Sequence, residues 1–361
     1  MAWLPALAAA AAIGLAQLVA APPATLPATP AAKPSTEPFQ SSIWLPYWLP
    51  SAAGEVSRNA ASFHTASLFW WQAASCSSVR REPGAGGPAT VRQLRASGLH
   101  VAATVVGSGL PPHAAIKCFT DRASRRHHVR QLVRLAEQGH YPAIDIDYET
   151  LAHTKRRSTA LRVRSAFDRF VTDLCDALHA RHKRCIVTVM PRADDRRRVA
   201  LGKVMPAVYD YAAIGAAVDR LRVMAYDQHS RKFGPGPVAG YRWVKRIIAY
   251  TASKTSLSKV ELGIPLYGRD FAHHDSVSIT SDQARAIARR HGVTPHLDPV
   301  AREATFRYRS HGVRHTVWYS SPRAVPARTR LARADGMAGA AYWAATQELP
   351  RTWKAVRRTL G

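Results

Sequence analysis

The sequence predicts an α/β fold, a (β/α)8 TIM barrel with a small α+β insertion between strands 7 and 8. Three observations support this prediction. From Ser42 onward, eight short apolar runs alternate with longer amphipathic segments. The chain has 361 residues, more than the roughly 250 that such a barrel takes. The surplus residues fall between the seventh and the eighth run.

The eight apolar runs have the length and the branched or aromatic side chains that strands favour. In chain order they are Ile43–Trp48, Ala66–Trp71, Val101–Val106, Ala143–Tyr148, Ile186–Met190, Leu221–Tyr226, Val260–Pro265 and Ala338–Trp343. Between several of them, apolar residues recur every three or four positions, as in Arg125–Gln138 and Leu161–His179. This spacing gives a helix one apolar stripe, with which it covers a sheet.

The insertion is predicted at about residues 270–322. Within it, Ser281–His291 has the pattern of a short helix. Thr305–Arg309 and His315–Tyr319 alternate around a Ser-His-Gly sequence, which predicts a hairpin. Barrel enzymes build their sites from the loops at the carboxyl ends of the strands, so the insertion is expected to wall one side of a groove.

The amino-terminal region is predicted to direct export. Residues 1–21 are almost wholly apolar and end in small residues, as a signal peptide does. An uncleaved membrane anchor is the alternative, because the stretch is about long enough to span a bilayer. Residues 22–41 are rich in Pro and Ala and are predicted to form a linker to the barrel at residues 42–361. We expect a secreted or cell-wall-associated protein, with membrane contact only if the leader is retained.

The composition supports a folded chain with polyanionic partners. Hydrophobic residues make up 47%, and 51 Lys and Arg stand against 24 Asp and Glu, a formal charge of +27. Such an excess attracts nucleic acid, anionic membranes or anionic cell walls. The basic residues are scattered and no nucleic-acid motif is present, so we expect no specific nucleic-acid partner.

Four cysteines and sixteen histidines raise the questions of disulfides and metals. Three disulfide connectivities are possible in an oxidising compartment. We favour Cys76–Cys118 with Cys175–Cys185, and four free thiols are the alternative. No HExxH motif and no Cys/His metal spacing occurs. We therefore predict no metal and no other cofactor.

Acidic and apolar residues alternate in Asp145-Ile146-Asp147-Tyr148-Glu149. Because alternate side chains of a strand share a face, the three carboxyl groups are expected to point into the barrel. Burial and mutual repulsion disfavour ionisation of all three, so one is expected to stay protonated near neutral pH. Glu149, at the carboxyl end of the strand, is the candidate general acid. A solvated acidic face on an edge strand is the alternative.

We call the three acids Asp145, Asp147 and Glu149 the acidic ladder. This ladder resembles the Asp-x-Asp-x-Glu core of glycoside hydrolase family 18, the family of chitinases and related N-acetylglucosaminidases. Other segments resemble the sixth, seventh and eighth strands of that family, in the right order. They are Leu221-Arg-Val-Met224-Ala-Tyr226-Asp227, Leu262-Gly-Ile-Pro-Leu-Tyr267-Gly and Gly339-Ala-Ala-Tyr-Trp343. The first strand, Ile43-Trp-Leu-Pro-Tyr47-Trp, is similar to the branch that contains spore-cortex and spore-germination hydrolases. Pro142 and Ala143 stand where the family usually has an acid and a glycine, a departure expected to change the pKa tuning of the ladder.

The resemblance implies a retaining mechanism in which the substrate's own 2-acetamido group is the nucleophile. It implies that Glu149 protonates the leaving oxygen, that Asp147 orients the acetamido group and that Asp145 shares a proton with Asp147. It also implies that Tyr226 and Asp227 hold the acetamido oxygen and the sugar ring.

Aromatic residues are the candidate sugar contacts, because the apolar face of a sugar suits an aromatic platform. The resemblance implies that Trp343, at the end of the eighth run, is the floor of the site. Tyr47 and Met224 are further candidates for substrate binding, and Trp70 and Trp71 for lining the site. Plain core packing is the alternative for each of them.

The predicted function is hydrolysis of β-1,4 linkages in polymers that contain N-acetylglucosamine, such as peptidoglycan or chitin. N-linked glycan cores carry the same N-acetyl group. The positive net charge, and the similarity of the first strand to spore-cortex hydrolases, favour an anionic cell wall as the source of the substrate. A non-catalytic, lectin-like barrel is the alternative, but such members of the family typically lack the glutamate that Glu149 supplies. A wall protein held by charge alone is a third interpretation. We expect a monomer.

Overall fold

The structure is a computed structural model that describes residues 38–49, 51–195, 205–231, 233–273 and 275–360. The predicted signal peptide, and the predicted linker up to residue 37, lie outside the described residues. The first strand begins at Gln40, two residues before the predicted start of the barrel.

The described residues form fourteen strands and ten α-helices. The strands are β1 (Gln40–Pro46), β2 (Thr65–Ser75), β3 (Ser78–Arg81), β4 (His100–Val106), β5 (Ala143–Asp147), β6 (Arg184–Val189), β7 (Arg220–Val223), β8 (Val260–Pro265), β9 (Tyr267–Ala272), β10 (Asp275–Thr280), β11 (His296–Leu297), β12 (Ala304–Ser310), β13 (Val313–Tyr319) and β14 (Gly339–Trp343). The helices are α1 (Ala52–Arg58), α2 (Pro88–Ala96), α3 (Pro112–Thr120), α4 (Arg122–Gln138), α5 (Arg157–His179), α6 (Tyr211–Ala217), α7 (Tyr241–Ala252), α8 (Ser281–Arg290), α9 (Ala324–Ala334) and α10 (Thr352–Leu360).

Eight parallel strands close into a barrel. The order is β1-β2-β4-β5-β6-β7-β8-β14, and β14 pairs with β1 to complete the ring. The short strand β3 pairs antiparallel with the end of β2, outside the ring. The barrel prediction is confirmed.

The two long helices that the sequence predicts both form, and each begins a few residues earlier than its apolar pattern. Helix α4 begins after Asp121, whose carboxylate accepts a hydrogen bond from the Ser124 N–H at 2.8 Å. This N-cap satisfies a main-chain donor that the first turn leaves free. The apolar faces of α4 and α5 belong to the main hydrophobic core.

The two faces of β5 lie in different surroundings. Ile144 and Ile146 are fully buried in the core between the strands and the helices. On the inner face, Ala143 packs with Ala102 and Ile186 at the amino end of the barrel. Above this small apolar layer the interior becomes polar, so the alternation read from the sequence does aim acidic residues into the barrel.

A second sheet lies in the chain between β8 and β14. Its antiparallel order is β10-β9-β13-β12-β11, and helix α8 packs against it. It begins at Tyr267, three residues before the predicted start of the insertion. The β12–β13 hairpin turns at His311 and Gly312, where φ is 47° and 76°. Two-residue hairpin turns of type I′ need this left-handed conformation at both positions.

Two disulfides join the four cysteines as Cys76–Cys118 and Cys175–Cys185, with Cα–Cα distances of 5.6 and 5.2 Å. The pairing favoured from the sequence is therefore confirmed. None of the helices in the described ranges is both long and apolar enough to cross a bilayer.

Candidate active site

Asp145 lies fully buried in the middle of β5 and accepts four hydrogen bonds. Thr188 Oγ1 donates to Oδ1 at 2.8 Å. Thr104 Oγ1, Trp44 Nε1 and the Arg222 guanidinium donate to Oδ2 at 2.9, 3.1 and 2.8 Å. These donors occupy both oxygens of the carboxyl group, and Asp145 makes no hydrogen bond to Asp147 within the described part of the chain.

Arg222 is a buried cation on β7 that lies between two buried anions. Its Nε donates to Glu261 at 2.7 Å, and its guanidinium lies 5.1 Å from the ring centroid of Trp44. Burial alone would lower the pKa of Arg222, but the carboxylates of Glu261 and Asp145 outweigh it and raise that pKa. The three side chains form a fixed ion triad across β5, β7 and β8, directly below the remaining acids.

Asp147 and Glu149 are the two acids of the ladder whose pKa values are raised. Strand β5 ends at Asp147, and Glu149 begins a 3-10 turn rather than continuing the strand as predicted. Burial, and then the charges of Glu149 and Asp145, raise the pKa of Asp147 well above its usual range, against the opposing effect of Arg222. Burial, and then the charge of Asp227, raise the pKa of Glu149 to about 7. The pair therefore retains a proton near neutral pH.

Asp147 also lacks a partner. Its Oδ1 is buried and has no hydrogen-bond partner among the described residues. Buried polar atoms are normally satisfied, so this oxygen is a position where a bound molecule would supply the missing donor.

We expect the Glu149→Gln variant to be more stable than the wild type above pH 7. The folded-state pKa of Glu149 is raised to about 7 from 4.5, so ionisation of this group costs stability as pH rises through that window. Gln cannot ionise, and the gain approaches at most about 3 kcal/mol above pH 7. Thermal unfolding at pH 4.5 and pH 8.5 measures it. An equal difference in Tm at both pH values would contradict the raised pKa.

The main chain around Glu149 is held on both sides. The Tyr148 hydroxyl lies 2.8 Å from Nε2 of the buried His128, and Tyr209 Oη donates to the carbonyl of Tyr148 at 3.0 Å. Thr150 Oγ1 donates to a carbonyl in the loop after β4 at 3.1 Å. The catalytic candidate thus has neighbours on each side fixed by packing and hydrogen bonds.

Asp227 follows β7 and is held by residues of the insertion sheet. Its Oδ1 accepts hydrogen bonds from Tyr267 Oη and from the Arg269 guanidinium, both at 2.5 Å. Its backbone is left-handed, with φ of 58°. Tyr226 is buried beside it, and its ring centroid lies 6.3 Å from that of Tyr267. The charge of Asp227 raises the pKa of Glu149, so β9 helps to set the electrostatics of the acid pair.

An aromatic cluster lies at the carboxyl ends of β14, β1 and β2. The half-buried ring of Trp343 has its centroid 4.9 Å from Phe69, 5.8 Å from Trp44 and 6.3 Å from Trp48. Tyr47 packs edge-on against Trp48 at 4.8 Å. Trp48 is 48% exposed, an unusual state for so large an apolar ring. The structure therefore brings Trp343 and Tyr47 together, and it adds Trp44, Trp48 and Phe69.

Two other candidates from the sequence lie elsewhere. Trp70 and Trp71 line cavities on the outer surface with residues of α2 and α4, and neither Asp147 nor Glu149 lines those cavities. The pairing of β2 with β4 shifts by one residue between Phe69 and Trp71, and such a bulge changes which side chains face inward. Met224 follows β7 and is 6% exposed in the main core, as the similarly buried Tyr226 is, so its role in substrate binding stays a prediction.

No three His, Cys, Asp or Glu side chains gather into a metal-binding cluster anywhere in the described ranges. Of the two adjacent histidine pairs, His128 is buried against Tyr148 and the carbonyl of Cys76. His273 directly follows β9, and its neighbour at position 274 lies outside the described residues.

The family described as glycosyl hydrolases family 18 matches residues 92–348. The chain belongs to glycosyl hydrolase family 18. This glycosidase is 27% identical to the uncharacterized glycosylase YvbX of Bacillus subtilis, over 68% of this chain and 69% of that protein. It is 25% identical to the cortical fragment-lytic enzyme of Bacillus anthracis over 65% of this chain, and it spans about half (53%) of that enzyme.

The family 18 barrel is also similar to solved structures. It superposes on a chitinase from Chromobacterium violaceum with a TM-score of 0.79 and 25% identity, covering 90% of this chain and 99% of that one. The family implies a polysaccharide substrate such as peptidoglycan or chitin. The finer assignment depends on the geometry of the acids and the aromatic cluster described above.

Proposed function

We propose that the protein is a secreted, retaining glycoside hydrolase that cleaves β-1,4 linkages of N-acetylglucosamine polymers by substrate-assisted catalysis. The observation that carries this proposal is the acid pair. Glu149, with its pKa near 7, lies next to a buried Asp147 that has one unpartnered oxygen. A general acid works best when its pKa is close to the working pH.

The proton and electron movements of the proposed reaction balance. Glu149 gives its proton to the glycosidic oxygen while the acetamido oxygen of the substrate attacks C1 and the leaving sugar departs as an alcohol. Asp147 accepts a hydrogen bond from the acetamido nitrogen and stabilises the positive oxazolinium ion. Water then attacks C1, the bond from C1 to the acetamido oxygen breaks so that the acetamido group is restored, and a proton of the water returns to Glu149.

Asp145 has a supporting role in this proposal. Its four donors occupy both oxygens, so the shared proton lies on Asp147 and Glu149. Tyr226 and Asp227 line the part of the site that holds the acetamido group of the substrate. Trp343 forms the apolar floor on which the sugar stacks. Tyr267 and Arg269 position Asp227, which the sequence did not predict.

Peptidoglycan is the substrate we favour. The net charge of +27 concentrates the protein on an anionic wall. The relative from B. anthracis is named for lysis of cortical fragments, and the similar solved structure is named a chitinase. The test is release of new reducing N-acetylglucosamine ends from purified peptidoglycan and from chitin oligomers. Release from peptidoglycan supports the proposal, and release from chitin alone would replace that substrate. Binding of both polymers with no release would favour the lectin-like alternative.

We expect the Asp227→Asn variant to lose activity at a lower pH than the wild type does. The general acid must be protonated, so the activity of the wild type should fall as pH rises through about 7. Removing the negative charge of Asp227 lowers the pKa of Glu149, so the basic limb of the kcat profile should move to lower pH. A pH–rate profile on soluble oligomers measures this shift. An unmoved limb with a lower kcat would show that Asp227 acts only by holding the sugar.

A further inference from the structure

A groove runs along the outer surface of the barrel between α2 and α4. It consists of two adjoining cavities of about 350 and 390 Å3, which share Trp71 in their lining. Each is within the size range of ligand pockets, roughly 300–1,000 Å3. The residues of the acid pair and of the aromatic cluster line neither cavity.

The groove carries positive charge that the described residues do not neutralise. Arg81, Arg92, Arg95 and Arg134 line the two cavities, and no Asp or Glu does. Two nearby arginines differ in this respect, because Arg125 on α4 pairs with Asp173 and Arg181 after α5 pairs with Glu137. In a chain with few acids, this surface is left complementary to an anion.

Two of these arginines are held in place before any ligand binds. Arg95 donates to the carbonyls of Gly139 and His140 at 3.1 and 2.9 Å. Arg81 donates to the carbonyl of Ala85 at 2.6 Å, with its guanidinium 5.9 Å from the ring centroid of Trp70. Arg92 and Arg134 are exposed at the rim. Fixed cations lose little conformational entropy on binding.

The floor of the groove is aromatic and firmly anchored. Trp71 is partly exposed in both cavities, so its ring offers a platform to the apolar face of a sugar. The β2–β3 hairpin that carries Trp71 is tied to α4, since Val79 N–H donates to Gln131 Oε1 at 3.1 Å. The Cys76–Cys118 disulfide fixes the turn of the same hairpin to α3.

We infer that this groove binds a second segment of a carboxylate-bearing glycan, the peptidoglycan strand, on the outer surface and apart from the acid pair. The ring of Trp71 stacks on a sugar, and the guanidinium groups bind the carboxylates of the peptide substituents. The inference extends the proposed function, but it concerns binding alone. It can therefore fail, or hold, independently of catalysis.

The test compares two charge-reversed double variants. Arg92→Glu with Arg134→Glu changes the rim of the groove. Arg242→Glu with Arg246→Glu makes the same change of charge at exposed positions of α7, on the other side of the barrel. Each is assayed for binding to peptidoglycan sacculi that retain phosphate polymers and to sacculi stripped of them, at about 0.15 M salt, and for turnover of soluble chitin oligomers. Trp71→Ala tests the platform without a change of charge, with thermal unfolding as a check on folding.

We expect the rim variant to bind sacculi at least about tenfold more weakly, with the α7 variant within about twofold of the wild type. Trp71→Ala should also weaken binding, and all variants should keep soluble turnover. Equal losses in both charge variants would overturn the inference in favour of diffuse attraction. A loss seen only on walls that retain phosphate polymers would assign the groove to those polymers instead. If the wild type turns over no substrate but the variants bind sacculi as expected, the proposed function is wrong and the inference that the groove binds peptidoglycan is still supported.

Discussion

Replacing Glu149 by Gln is expected to lower turnover of N-acetylglucosamine oligomers by about 10²–10⁴-fold. Glu149 is the carboxyl group whose pKa is raised to about 7 beside Asp147, and Gln has no proton to give to the leaving oxygen. The fold should survive the change, because Gln is neutral, as protonated Glu149 is. Initial rates on soluble oligomers, with thermal unfolding of both proteins, measure this outcome.

Asp168→Asn is the matched control for a neutralised carboxyl group. Burial, and then the charge of Asp210, raise the pKa of Asp168 to about 7 as well, but Asp168 lies on α5 outside the barrel. A raised pKa alone therefore does not make a catalytic residue, and this variant should retain near-normal turnover. Comparable losses in both variants, or full activity of Glu149→Gln, would contradict the assignment of Glu149.

Replacing Arg222 by Met is expected to lower the free energy of unfolding by about 3–5 kcal/mol. The change leaves the carboxylates of Asp145 and Glu261 buried without the cation between them. Urea unfolding of the wild type and the variant at pH 7 measures the difference.

Arg181→Met is the control for the loss of an ion pair. Arg181 pairs with Glu137 at 2.8 Å, but both side chains are 46% exposed. Exposed pairs contribute about 0–1 kcal/mol, so this variant should unfold almost as the wild type does. If Arg222→Met were no more destabilising than Arg181→Met, the ion triad would not hold the barrel interior together.

The barrel and the acidic face of β5 could be predicted because they depend on local patterns. The alternation in residues 143–147 and the helical spacing of α4 and α5 depend on neighbours in sequence. Trp343 could be predicted as a candidate sugar contact from its place at the end of the last apolar run. Glu149 was assigned to the right end of the strand, although the strand stops at Asp147 and a 3-10 turn carries the acid.

The contacts that complete the site are long-range and could not be read from local pattern. Arg269 reaches Asp227 across 42 positions of sequence, and Arg222 reaches Asp145 across 77. Arginine inside an apolar strand was the available clue for Arg222. At β2, the shift in pairing brings Phe69 to Trp343 and leaves Trp71 on the outer surface, a change that alternation alone cannot foresee.

The most direct test of the central claim is time-resolved NMR of the sugar anomers formed when the wild-type protein acts on N-acetylated oligomers. We predict new reducing ends that appear first as the β anomer, because attack by the acetamido group followed by water retains configuration at C1. First appearance of the α anomer, or no new reducing ends at all, would contradict it.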